Sequence, residues 1–117
     1  MKTIQMTKEI FKDKVMDYTQ GQDWNFKGER PAVIDFYATW CGPCKMTAPV
    51  VEEAAEKYDG EIDFYKVDVD QEEELAGLFG IRSIPTLLFI PVGGQPKMKV
   101  GAVGRGEMEK IIQAELK

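Results

Sequence analysis

Two thiols three positions apart, Cys41-Gly42-Pro43-Cys44, are the part of this sequence best suited to chemistry. If the first stands at the start of a helix, the second lies one turn on and on the same side. Sulfurs so placed can close a small disulfide ring with little backbone movement, and open it again. The two are not equivalent. Cys41 would face unpaired backbone N–H groups and the positive end of the helix dipole, which lowers its pKa and favours the thiolate. Cys44 would be the more buried. Those positions make Cys41 the candidate nucleophile and Cys44 the thiol that resolves the mixed disulfide. Gly42 lets another backbone come close. Pro43 fits the first helical turn, where its missing N–H costs nothing.

Two other uses of the pair stand beside this one. A CxxC is also half of a zinc knuckle, and a structural zinc site takes four Cys or His ligands. The chain has two cysteines and no histidine, so the other half would have to come from another chain. A purely structural disulfide is the second use, although a four-residue ring constrains little of the unfolded chain. The lack of histidine also removes His-based nucleophiles and His proton shuttles. Chemistry is left to thiols, carboxylates, Lys, Tyr or a bound cofactor.

The elements that must position the thiols can be read from patterning. Residues 3–6 suit a short strand. Thr7 suits an N-cap, and Phe11, Val15 and Tyr18 at helical spacing predict a helix of about three turns that stops at Gly21. AVIDFYA (32–38) is a nearly unbroken apolar run, as expected of a strand covered on both faces. From Pro43 the residues Cys44, Ala48, Val51, Ala55 and Tyr58 follow one helical face, with Pro49 expected to kink it and Asp59-Gly60 to end it. IDFYKVDV (62–69) reads as a strand, Glu72–Phe79 as a short helix stopped by Gly80, and TLLFI (86–90) as a third apolar strand. Gly93-Gly94 is a turn dipeptide, so Lys97–Val100 should return as the second arm of a hairpin, with Pro96 marking a sheet edge. Met108, Ile111, Ile112 and Leu116 mark a last amphipathic helix. The order β-α-β-α-β-α-β-β-α predicts an α/β fold: a mixed sheet of about five strands with about four helices on its two faces.

One charge, Asp35, stands in the middle of the first apolar strand. An acid there is costly unless it serves a purpose, and burial would raise its pKa. A solvated Asp at a strand edge is the alternative.

Three segments in order, WCGPCK (40–45) after VIDFYAT, GIRSIPTLLFI (80–90) and VGA (100–102), resemble the thioredoxin family over about residues 3–116. The resemblance implies the thioredoxin fold and a protein-disulfide reductase with no bound cofactor. It implies that Asp35 takes the proton from Cys44 as that thiol attacks, and that Lys66 lies near Asp35 and tunes it. It implies a cis peptide at Ile84-Pro85 facing the thiols, with the Ile84 backbone free to pair with an extended substrate. Trp40, Gly42, Pro43, Ile84, Pro85, Gly101 and Ala102 would form a shallow apolar patch that takes protein disulfides. The implied partners are disulfide-containing proteins and an NADPH-dependent flavoprotein, thioredoxin reductase. Tyr37, Thr39 and Ser83 depart from common family patterns: Trp, an acid and, in the bacterial type, Gly. The loop with Trp24 and Phe26 looks longer than the bacterial pattern; its aromatics would cap the sheet or form a partner surface. An exported reductase or isomerase, and a binding subunit with idle thiols, are the alternatives within this fold.

Composition sets outer bounds. The 117 residues, 44% hydrophobic and 30% charged, suit a single domain over 1–117. A net charge of −5 argues against nucleic acid and anionic membranes as partners. No run of about 18 apolar residues is present, and the start MKTIQMTKEIFKDKV lacks a signal peptide's apolar run. A cytoplasmic monomer is expected, or an exported one if a leader has been removed. DVDQEEE (68–74) lacks the glycine and length of a calcium loop and reads as a strand end feeding an acidic helix start. Gly101, Gly104 and Gly106 do not form a phosphate fingerprint.

Overall fold

A computed structural model describes residues 2–21 and 23–117. In chain order the elements are β1 (Ile4–Gln5), α1 (Lys8–Lys14), β2 (Ala32–Tyr37), α2 (Gly42–Lys57), β3 (Asp63–Asp68), α3 (Glu73–Leu78), β4 (Thr86–Ile90), β5 (Lys97–Val100) and α4 (Arg105–Glu115). The strands form one mixed sheet in the order β1-β3-β2-β4-β5. β3 runs parallel to β1 and β2, while β4 is antiparallel to β2 and β5 to β4. The apolar runs decide this order. β4 is buried at every position and β2 at every one but Tyr37, so they take central places; β5 is largely exposed and takes an edge.

Strand alternation sorts the core into two layers. On one face Val33, Phe64, Leu87 and Phe89 pack against Val51, Ala54 and Ala55 of α2 and Met108 and Ile112 of α4. On the other, Ile34, Phe36, Tyr65, Leu88 and Ile90 meet Phe11 of α1 and Leu75 of α3. Each large apolar side chain so buried contributes about 1.5–3 kcal/mol. Among the described residues no helix is long and apolar enough to cross a membrane.

Three expectations need correction or refinement. α1 is capped by the Thr7 hydroxyl as foreseen, but it ends at Lys14 rather than near Gly21. The N–H groups of Val15 and Met16 both donate to the Phe11 carbonyl, and Asp17 then accepts from the Thr19 N–H and hydroxyl, closing a turn. Tyr18 keeps its place against Phe11 from outside the helix, with ring centroids 5.8 Å apart. α2 continues through Pro49 to Lys57, and its buried stripe is Cys44, Thr47, Val51, Ala54 and Ala55; Ala48 is exposed. Trp24 and Phe26 stack on each other and pack against the sheet, Trp24 edge-on to Phe79 at 6.3 Å.

Candidate active site

β2 delivers the chain to the site. It ends at Tyr37, and the buried Ala38 leads through Thr39 and Trp40 into α2. Cys41 is the N-cap of α2, with extended backbone (φ −86°, ψ 115°), and its sulfur accepts the Cys44 N–H at 3.2 Å. One of the first-turn N–H groups that lack a helical partner therefore points at Cys41 Sγ, an arrangement that stabilises a thiolate there. Pro43 sits in the first turn, as foreseen. Cys41 and Cys44 are joined as a disulfide, their Cα atoms 5.3 Å apart.

Cys44 was expected to be the more buried of the two. In the disulfide form both cysteines are buried, Cys41 at 5% exposure and Cys44 at 3%. Ala38 lies against both, with Tyr37, Val69 and Ile84 packed around them. Cys41 Sγ lies 3.9 Å from the Ile84 carbonyl oxygen; with the sulfurs joined this is a contact, since no thiol proton is left to donate.

Asp35 lies within β2 on the side that faces α2, because it alternates with Val33. It is 4% exposed, which excludes the solvated-edge reading. Burial pushes its carboxyl up to about 7, and the neighbouring Lys66 ammonium pulls in the other direction. Lys66 stands directly opposite Asp35 in the β2–β3 register. Asp35 Oδ1 has no hydrogen-bond partner among the described residues. The carboxyl and Cys44 line one pocket of about 270 Å³, walled by Tyr37, Lys45, Ala48 and Lys66. The Tyr37 hydroxyl reaches over β3 and donates to Gln5 Oε1 at 3.1 Å.

The rim comes from two loops. Ile84-Pro85 is cis. The Pro85 carbonyl accepts the Gly101 N–H at 2.8 Å, which ties the start of β4 to the end of β5. Gly101 has φ +100°, a conformation that favours glycine. Ile84 is half-buried against the disulfide, whereas Gly42, Pro43 and Ala102 are exposed. Trp40 is 69% exposed, and its indole N–H donates to Asp70 Oδ2 at 2.7 Å.

Asp70 is a residue that sequence reasoning placed only in an acidic run. The run proves to be engaged at several points: Asp68 accepts the Asp70 N–H at 2.9 Å, Glu72 accepts the Lys8 N–H at 3.1 Å, and Glu74 accepts from the Tyr18 hydroxyl. The Asp68–Asp70 bond is a local turn, but no local pattern announces the others, because each joins residues far apart in the chain.

Comparison with protein families matches the thioredoxin family over residues 2–114. The chain is 51% identical to a thioredoxin of Borreliella burgdorferi over 110 residues, 94% of each chain. It is 39% identical to thioredoxin 1 of a Nostoc species over 112 residues, covering 96% of this chain and 95% of that one. Among solved structures it resembles chloroplastic thioredoxin z, with a TM-score of 0.80 at 26% identity, covering 97% of this chain and 94% of the other. Sequence and fold agree along nearly the whole length, and the chain belongs to the thioredoxin family, the thiol–disulfide oxidoreductases that reduce protein disulfides.

Proposed function

We propose that each site residue acts as follows in reducing a protein disulfide. The Cys41 thiolate, stabilised at the entrance of α2, attacks one sulfur of the target. A mixed disulfide forms between Cys41 and that sulfur, and the other target sulfur leaves as a thiolate that takes a proton from solvent. Cys44 then gives its proton to the Asp35 carboxylate, directly or through a water in the shared pocket. The Cys44 thiolate attacks Cys41 Sγ, the second target sulfur leaves, and the chain ends with Cys41 and Cys44 joined. Two electrons have passed from the dithiol to the target.

The observation that carries this reading is the buried carboxyl of Asp35, its Oδ1 without a partner among the described residues, opening onto the same pocket as Cys44. A group held near neutrality gives up and takes a proton with least cost at working pH. Lys66 sets how far its pKa rises. Ile84 and Gly101 frame the rim, with Trp40, Gly42, Pro43, Pro85 and Ala102, and the Ile84 backbone pairs with an extended target segment. In this reading the chain works as a cytoplasmic monomer, and an NADPH-dependent flavoprotein reductase returns it to the dithiol. The test is trapping. Cys44→Ser should accumulate a mixed disulfide through Cys41 with disulfide proteins, and adding Cys41→Ser should abolish it. Equilibration against glutathione or dithiothreitol checks direction: a potential near −120 mV, the value of a strong oxidant, would contradict the reductase role.

A further inference from the structure

Thr47 is fully buried on α2, and its hydroxyl has no hydrogen-bond partner among the described residues. A buried hydroxyl left unpaired is destabilising, because it has lost its water partners and gained none. A threonine within a helix ordinarily avoids this by bonding to the carbonyl three or four residues back, and Thr47 does not. Valine would fill a similar space without the polar atom.

The surroundings narrow what the hydroxyl serves. Cys44, Thr47 and Val51 are all buried and follow at i, i+3 and i+7, so they form one stripe along α2. Helical side chains lean towards the helix N-terminus, which aims Thr47 at Cys44 rather than at Val51. Val51 packs on the sheet face of Val33, Phe64 and Leu87, while Cys44 packs with Ala38 and Cys41 at the head of the helix. In the disulfide form the Cys44 sulfur is held in its bond to Cys41, and the Thr47 hydroxyl makes no hydrogen bond to it.

We infer that Thr47 is a positioning residue for the reduced state: when the disulfide opens, its hydroxyl donates a hydrogen bond to the Cys44 sulfur and holds that thiolate for attack. The inference rests on Cys44 being the resolving thiol. It also accounts for a polar atom kept in an apolar stripe, since the bond exists in one redox state and is missing in the other. The hydroxyl therefore favours the dithiol over the disulfide.

The experiment equilibrates wild type, Thr47→Val and Thr47→Ser with a glutathione redox buffer and reads the oxidised fraction. Thr47→Val should shift the equilibrium constant towards the disulfide by about 2- to 10-fold, the worth of one hydrogen bond. Thr47→Ser, which keeps the hydroxyl, should stay with wild type. A hydroxyl with a structural role alone would affect both redox forms equally, so an unchanged constant in Thr47→Val overturns the inference. Equal shifts in Val and Ser also overturn it, because packing would then be the cause. Trapping with Cys44→Ser runs alongside. Trapping with an unchanged constant in Thr47→Val removes the role of Thr47 and leaves the dithiol mechanism standing. Failure to trap removes the resolving role of Cys44 and this inference with it.

Discussion

At Asp35 two effects oppose each other, and burial outweighs the Lys66 ammonium, so the carboxyl rises from its ordinary 3.8 to about 7. Between those values the folded chain holds a proton that the unfolded chain has lost. The sign follows from linkage: where the native state binds more protons, stability falls as pH rises. The disulfide form should therefore lose stability from about pH 4 to about pH 7 and level off above, by on the order of 4 kcal/mol in all. Asp35→Asn should be nearly flat from about pH 5 to about pH 8 and the more stable protein at the upper end, as read by urea unfolding. A wild-type profile as flat as the variant's would contradict the burial argument. The same substitution should slow release of target from the mixed disulfide on the order of 100-fold in single-turnover measurements, the usual scale for losing a general base. Asp35 was legible in the sequence because the apolar residues around it leave the strand no wet side. The closure of Cys41 was not, since Val69 and Ile84, which pack around it, belong to distant loops.

At the scale of elements, the loop from β5 to α4 depends on one backbone conformation. A Cβ added at Gly101 meets no atom within 4 Å, yet φ is +100°. Gly101→Ala should therefore cost about 1–3 kcal/mol through backbone strain alone, visible as a lower denaturation midpoint. An unchanged midpoint would show that the loop relaxes freely. This strain also bears on the rim, because the Gly101 N–H holds the Pro85 carbonyl. The strand cores at 32–37 and 86–90 were legible from apolar runs, and the hairpin from Gly93-Gly94 and Pro96. The end of α1 was not. Helical spacing at Tyr18 looked like another turn, but a side-chain turn at Asp17 competed with the helix and won. Ala48 was misplaced for a related reason: a small residue at i+4 from Cys44 fits either face, and only packing on the sheet chose Thr47 for the buried stripe.

Across the whole molecule, the disulfide closes a ring of four residues, Cys41 to Cys44. Loop-closure entropy for so short a ring amounts to about 2 kcal/mol. The oxidised chain should be the more stable by that order, compared by urea unfolding with and without a reductant. Equal stabilities would mean that the native dithiol recovers the difference through contacts of its own. The mixed sheet was legible from the order of elements, and three separated motifs in the sequence resemble those of the family. Long-range pairings such as Trp40 with Asp70 were not, because they depend on the finished sheet order. The claim that matters most is that electrons leave through Cys41 and Cys44. It is tested most directly by dithiothreitol-driven reduction of insulin, comparing wild type with Cys41→Ser. The dithiol mechanism predicts turnover in wild type and background rates in the variant. Turnover unaffected by Cys41→Ser would contradict it.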